Sequence, residues 1–202
     1  MHPHGGDGAE SLRVDDVAAA VTAVRRACPG VSVGVTTGLW VIGGDVRLRQ
    51  RLVTSWAAMP PAERPDFASA NLSEDGFADL VEALEGAGIE IELGVWSPAD
   101  AEAPAAQSTA AGWPRIRVEV LDAPAEHAIL RRLDQLGVTG PRLPHGERAA
   151  CWPLVAHAGR LGLRTRIGLE DTITTGHAGR PVADNAELVR LGLAVWNAAA
   201  AP

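Results

Sequence analysis

Cys28-Pro29-Gly30-Val31-Ser32-Val33-Gly34-Val35-Thr36-Thr37-Gly38 carries the chain from the end of one element into the start of another. Upstream, apolar side chains recur at Val14, Val17, Val21, Val24 and Cys28, the spacing of one buried helical stripe, and Pro29-Gly30 ends it. Downstream, Val31 to Thr36 alternates with the period of two that a strand requires, and Thr37-Gly38 opens a loop. Helix, tight turn, strand and polar loop in that order are the elements of a βα repeat.

The same alternation extends outward. A helix is expected around Arg47–Ala57, a strand at Phe67–Leu72, a helix marked by Phe77, Leu80, Val81 and Leu84, and a strand at Ile89–Val95. A weaker helix, Ala99–Ala111, is interrupted by Pro104, and Arg115–Leu121 alternates charged and apolar residues as a strand with one wet face would. A helix at Ala125–Leu136, a short strand at Arg142–Pro144 running into His145-Gly146-Glu147, and a helix at Cys151–Leu161 follow. A strand at Thr165–Leu169 and a last helix after Asp184-Asn185 complete the series. Repeated units of this kind favour a parallel sheet with right-handed crossovers. Polar residues gather where strands end, at Thr36-Thr37, Ser69–Asn71, Trp96-Ser97, His145 and Glu170-Asp171, as on the active face of a (β/α)8 barrel. No GxGxxG follows a strand and no GxxxxGK[ST] occurs, so nucleotide-binding open sheets lose their main support. The expectation is one α/β domain of (β/α)8 TIM-barrel type over residues 1–202. It counts six strands plus a stub at His2–His4, and so lacks the first βα unit in this chain.

Composition narrows the function classes. The 202 residues are 47% hydrophobic and 21% charged, ordinary for a globular protein with one sizeable core. Eighteen basic against 25 acidic side chains give a formal charge of -7, which offers no positive field to nucleic acid or an anionic membrane. Cys28 and Cys151 form no CxxC pair, so neither a disulfide framework nor a thiolate zinc site is implied, and a cytoplasmic location is expected. No long apolar run or leader pattern is present.

Several residues carry chemistry. His2-Pro3-His4 places two imidazoles on the same side of an extended segment, where they could share a cation or belong to an inert terminus. Glu170-Asp171 ends an apolar segment with two acids, either of which could simply cap the following turn. Arg166, four residues earlier and on the same face, calls for an anion, either Glu170 or an acidic substrate. His145 could act as acid, base or carbonyl donor, although loop histidines are more often inert. Thr36, Thr37, Ser69 and Asn71 offer hydroxyls and an amide that could orient a carboxylate or carbonyl, and Glu92 could support a metal from behind. Cys151, His127 and His157 read as packing or surface residues.

Taken together, HPHGGDG-ESL near the start, VGVTTG, ASANLSEDG and the C-terminal RIGLEDT with its downstream DNAELV resemble the β-keto acid cleavage enzyme family, that of 3-keto-5-aminohexanoate cleavage enzyme. The resemblance covers nearly the whole chain, and RIGLED followed by NAELV is its most specific part. It implies a zinc-dependent (β/α)8 enzyme that condenses a β-keto acid with acetyl-CoA and splits the product into acetoacetate and a new CoA thioester. By motif, Zn2+ would be held by His2, His4 and Glu170. Arg166 and Asp171 would form the catalytic pair, and Thr36, Thr37, Ser69, Asn71, Glu92 and His145 would bind substrate. A homo-oligomer is implied as well. Three departures stand out: the family's first strand and helix are absent before the HxH segment, Leu39 follows Thr36-Thr37-Gly38, and His145 stands where longer members lack histidine. A CoA-independent metal hydrolase or aldolase on the same barrel, and a truncated non-catalytic homologue, are the competing expectations.

Overall fold

The computed structural model describes residues 1–103, 112–120, 123–176 and 179–201. The elements are α1 (Val14–Ala27), β1 (Gly34–Thr36), α2 (Val46–Ser55), β2 (Phe67–Asn71), α3 (Phe77–Gly86), β3 (Glu90–Val95), α4 (Pro98–Glu102), β4 (Arg115–Val120), α5 (Ala123–Gln135), β5 (Arg142–Gly146), α6 (Cys151–Leu161) and α7 (Asn185–Ala200). Helix and strand alternate as the periodicities require. The strands follow one another in the sheet order β1-β2-β3-β4-β5. The chain divides into two compact units, Met1–Leu93 and Gly94–Pro202.

In the first unit β1 and β2 are parallel, with Val35 opposite Ala68 and Thr36 opposite Ser69. Gly34 leaves room for the Phe67 ring of the neighbouring strand, which lies over it. A Cβ there would stand 2.0 Å from the ring of Phe67. Burial of Val17, Val21, Val53, Leu80 and Leu84 packs one face of each helix into the core. Trp56 is fully enclosed and donates its indole N–H to the Leu12 carbonyl at 3.0 Å. Asp45 caps α2 by accepting from the Leu48 amide at 2.9 Å. Ahead of these elements, the Met1 amino group donates to the Gly34 carbonyl at 2.8 Å and Thr36 N–H donates to the Met1 carbonyl at 3.1 Å. The first residues therefore run alongside β1 in the parallel sense, which sets His2 level with Thr36.

In the second unit β4 and β5 are parallel, with Glu119 opposite His145 and Val118 opposite Pro144. Leu154, Val155 and Ala158 of α6 are buried, and α6 packs against both β5 and α7. The α6–α7 contact depends on Gly159, where a Cβ would lie 2.4 Å from the Trp196 carbonyl. Asp184 caps α7 by accepting from Glu187 N–H at 2.8 Å, while Glu187 accepts from Ala183 N–H at 2.7 Å.

Three expectations change. Among the described residues the sheet has five strands and is not closed, where six strands plus a stub of a (β/α)8-type barrel lacking its first βα unit were expected, so the barrel is not shown. Thr165–Leu169 forms no strand. Its hydrogen bonds go elsewhere: Thr165 Oγ1 donates to the Pro144 carbonyl at 2.8 Å, and Asp171 and Thr172 N–H both donate to the Gly168 carbonyl at 3.0 Å, a turn. Third, the strand ending at Pro144 continues through His145 and Gly146, so His145 belongs to β5 instead of a loop. At the expected helix Ala99–Ala111, the described residues are helical over Pro98–Glu102, and residues 104–111 lie outside the described residues.

Candidate functional site

Strand β4 builds the site in the second unit. Arg117 and Glu119 are two apart, so both project from one face, and the register sets His145 of β5 beside Glu119. This face was expected to be wet. It is buried instead, with Arg117 5% and Glu119 4% exposed, because the charges satisfy one another. Arg117 Nη1 lies 2.5 Å from Glu119 Oε2. His145, 1% exposed, has Nε2 at 3.5 Å from Glu119 Oε2 and Nδ1 at 3.5 Å from Asp171 Oδ1. At 3.5 Å these are charge contacts, since hydrogen bonds to a carboxylate are shorter.

Asp171 joins this cluster to Arg166. The guanidinium donates to Asp171 Oδ1 at 2.9 Å through Nη2 and at 3.3 Å through Nε, and Nη2 lies 3.2 Å from Glu170 Oε1. The expected pairing of Arg166 with Asp171 is therefore present, with Glu170 adjoining it. The turn bearing Asp171 is fixed by Arg148, whose N–H donates to the Asp171 carbonyl at 2.7 Å from a left-handed backbone with φ of 52°. A non-glycine residue held there carries strain that its surroundings must offset.

The charges of the cluster shape one another. Burial alone would raise the Glu119 carboxyl, but His145 and the Arg117 guanidinium hold it down at about 2. Asp171 is likewise lowered against the effect of burial by His145 and Arg166. Burial would lower Arg166, yet its bond to Asp171 and the nearby charges of Asp171, Glu170 and Glu119 raise it above the ordinary arginine value. Glu147 moves up, through burial first and then through its contact with Glu119. Cys151 is pushed up to about 12 by burial and by Asp171, so it is a packing thiol and no nucleophile. A cavity of about 1180 Å³ opens beside the cluster, lined by Arg148, Trp152, Glu170, Asp171, Thr172 and Arg180 among others. The Glu170 side chain is 46% exposed, Asp171 is buried, and the cavity thus meets one accessible and one enclosed carboxylate.

The first unit holds the remaining expected residues. His2 Nδ1 lies 2.6 Å from Glu10 Oε1, and its ring tilts over Trp40 at 6.3 Å. Trp40 donates its indole N–H to the other Glu10 oxygen at 3.0 Å. A carboxylate on one imidazole nitrogen fixes the tautomer in which the second is basic, the arrangement usual behind a metal-ligating histidine. His4 is exposed and forms an isolated antiparallel bridge with Glu10. Thr36, Ser69 and Asn71 share one face by register and alternation. Thr36 Oγ1 accepts from Gly38 N–H at 3.1 Å, Thr37 donates its hydroxyl to the Ser69 backbone carbonyl, and Asn71 Nδ2 donates to Glu74 Oε1 at 2.9 Å. Glu92 is buried on β3. Glu74 ties the loops together, accepting from Leu39 N–H at 3.1 Å and pairing with the fully buried Arg49. Thus Thr37 and Asn71 hold these loops as well as lining the ends of β1 and β2.

Sequence reasoning missed Arg117, Glu119, Glu147 and Glu10. The signal for the first two was present in Arg115–Val120, where both charges fall on one face. It also passed over His127 and His157 as packing or surface residues. With Glu126 they form a close group of ligand-type atoms, all within 4.8 Å of one another.

No family model matches the chain, and no curated protein sequence does either. Solved structures match in fold. The apo structure of ObcA superposes with a TM-score of 0.62 at 17% identity over 92% of this chain. The chain spans about half of that protein, 51% of its length. At this identity the likeness establishes a shared α/β fold. Among the described residues, no helix is long and apolar enough to cross a membrane.

Proposed function

We propose that the chain belongs to a β-keto acid cleavage enzyme, using zinc to condense a β-keto acid with acetyl-CoA and to release acetoacetate and a new CoA thioester. The observation that carries this reading is the Arg166–Asp171 pair, its carboxylate buried against His145, flanked by Glu170 at an open cavity. It is the pair that the motif resemblance assigns to catalysis. The α/β fold shared with ObcA is in keeping with the scaffold that the resemblance implies.

His2, His4 and Glu170 would hold the metal. Two imidazoles and one carboxylate are a donor set suited to zinc with a position left for substrate, and Glu10 already orients His2 as such a ligand needs. A bound zinc ion would polarise the substrate's keto group and acidify the adjacent CH2. Arg166 stays cationic, because Asp171 and Glu170 stabilise its charge, so its role is to offer a fixed positive charge to developing enolate character. Asp171 orients it. His145 sets the position of Asp171 from the other side. Thr36, Thr37, Ser69, Asn71 and Glu92 would position the substrate from their strand ends.

The test supplies a β-keto acid to the purified protein with and without acetyl-CoA and measures acetoacetate. Acetyl-CoA-dependent formation supports the assignment, whereas turnover indifferent to acetyl-CoA assigns a hydrolase or aldolase. Zinc analysis runs alongside on His4→Ala and Glu170→Ala. Unchanged zinc content in either variant removes these residues from the metal site.

A further inference from the structure

We propose that Glu126, His127 and His157 form a second divalent cation site, zinc by its donor chemistry, that joins α5 to α6. Glu126 and His127 lie in the first turns of α5, and His157 lies on α6. His127 Nδ1 stands 3.3 Å and His157 Nε2 3.5 Å from the same oxygen, Glu126 Oε2. The two rings are 4.1 Å apart between centroids and tilted by 48°.

These spacings suit ligand atoms that share a metal; what sets the group apart from the charge contacts of His145 is that both imidazoles converge on one carboxylate oxygen. A charge-assisted hydrogen bond from an imidazolium to a carboxylate would close to roughly 2.7–2.9 Å. Ligands at about 2.0–2.1 Å from a tetrahedral zinc are instead roughly 3.3–3.4 Å apart, close to both distances here.

Burial gives an independent reason. The Glu126 side chain is 0% exposed, and neither of its oxygens, nor His157 Nε2, has a hydrogen-bond partner. A buried carboxylate without donors is destabilising unless a cation neutralises it. Burial pushes the Glu126 carboxyl up despite His127, and burial, His127 and Arg160 lower His157, which keeps that ring in the neutral form a ligand requires. Arg160 Nη2 lies 3.3 Å from His157 Nδ1. Arg160 can only donate, so Nδ1 accepts in this structure; metal on Nε2 would move the ring proton to Nδ1 and would require the exposed Arg160 to turn away. His127 is 46% exposed, which supplies the entry path and room for a water as fourth ligand. Three protein ligands plus water is a recognised zinc arrangement.

The site shares no residue with His2, His4 and Glu170, so it stands whether or not the chain cleaves β-keto acids. The experiment uses the His4→Ala/Glu170→Ala protein, stripped with chelator and titrated with Co2+ while tetrahedral d–d absorption is followed. One equivalent should bind. Adding Glu126→Gln, or separately His127→Ala, should abolish the band or weaken binding at least tenfold. His127 is half-exposed and its replacement does not threaten folding, so it decides the matter if Glu126→Gln fails to fold. A protein that binds no cobalt in the starting background, or binds it equally well in the His127→Ala variant, overturns the proposal.

Discussion

Replacing Glu119 with glutamine keeps the shape of the side chain and removes its charge. The carboxylate lies 2.5 Å from Arg117 Nη1 and 3.5 Å from His145 Nε2, and all three side chains are buried. Breaking a buried ion pair by neutralising one member typically costs about 3–5 kcal/mol, because the other charge stays behind in a poorly solvated place. An independent route gives a similar figure. Glu119 is held at about 2 against an ordinary 4.5, a gap worth on the order of 3 kcal/mol. Because the folded-state value is depressed, this stability is fully present above about pH 4.5 and is lost as pH falls toward 2. Urea denaturation followed by circular dichroism, at pH 7 and at steps down to pH 3, should show the variant about 3 kcal/mol less stable at pH 7. The difference should shrink as the pH approaches 3. A double variant, Arg117→Met/Glu119→Leu, should recover most of the loss, since an apolar pair of similar volume leaves no stranded charge. A Glu119→Gln protein within about 1 kcal/mol of the parent at pH 7 would refute the buried-pair reasoning.

Further outcomes follow from the same geometry. Glu147→Gln should stabilise the protein at pH 7, with the gain vanishing toward pH 4, because burial and Glu119 already raise this carboxyl and its ionisation opposes folding as pH rises; equal stability profiles for parent and variant would contradict this. Gly159→Ala forces a Cβ to within 2.4 Å of the Trp196 carbonyl, and should cost about 1–3 kcal/mol, seen as a lower Tm. Asp171→Asn removes the charge that orients Arg166, and under the proposed function should lower kcat for acetoacetate formation by roughly 10²–10³ with KM little changed. An unchanged kcat there would take Arg166 out of the reaction.

The elements were legible where a single period decided them. Val14–Ala27, Phe67–Asn71, Glu90–Val95 and Cys151–Leu161 stand where the apolar spacing puts them, within a residue or two. Thr165–Leu169 has the same apolar look and still forms no strand. Its composition cannot reveal that Thr165 bonds to Pro144 through a side chain, or that the Gly168 carbonyl is taken by two amides of a turn. A strand is defined by partners as much as by pattern, and partners belong to the tertiary structure. The barrel is left open by the same signal: alternation of βα units argues for parallel strands and says little about whether the ladder meets itself.

The site was legible in part, and the missed residues share one cause. Arg166 and Asp171 were found because two acids after an apolar segment are conspicuous, and the structure joins them at 2.9 Å. Arg117 and Glu119 follow the pattern of a half-exposed strand, charged on one face and apolar on the other, and one-dimensional alternation cannot say which face meets solvent. What decides it is the neighbour across the ladder. His145 opposite Glu119, with Asp171 beyond it and Arg166 beyond that, supplies alternating charge through the interior, and each buried group becomes tolerable through the next. Among the described residues Glu126 lacks such a chain: its ionic neighbours are two imidazoles, with no guanidinium against the carboxylate. The two buried glutamates differ in what surrounds them: Glu119 is held down by an imidazole and a guanidinium, whereas Glu126 is raised by burial and has two imidazoles converging on one oxygen, the arrangement on which the proposed cation site rests.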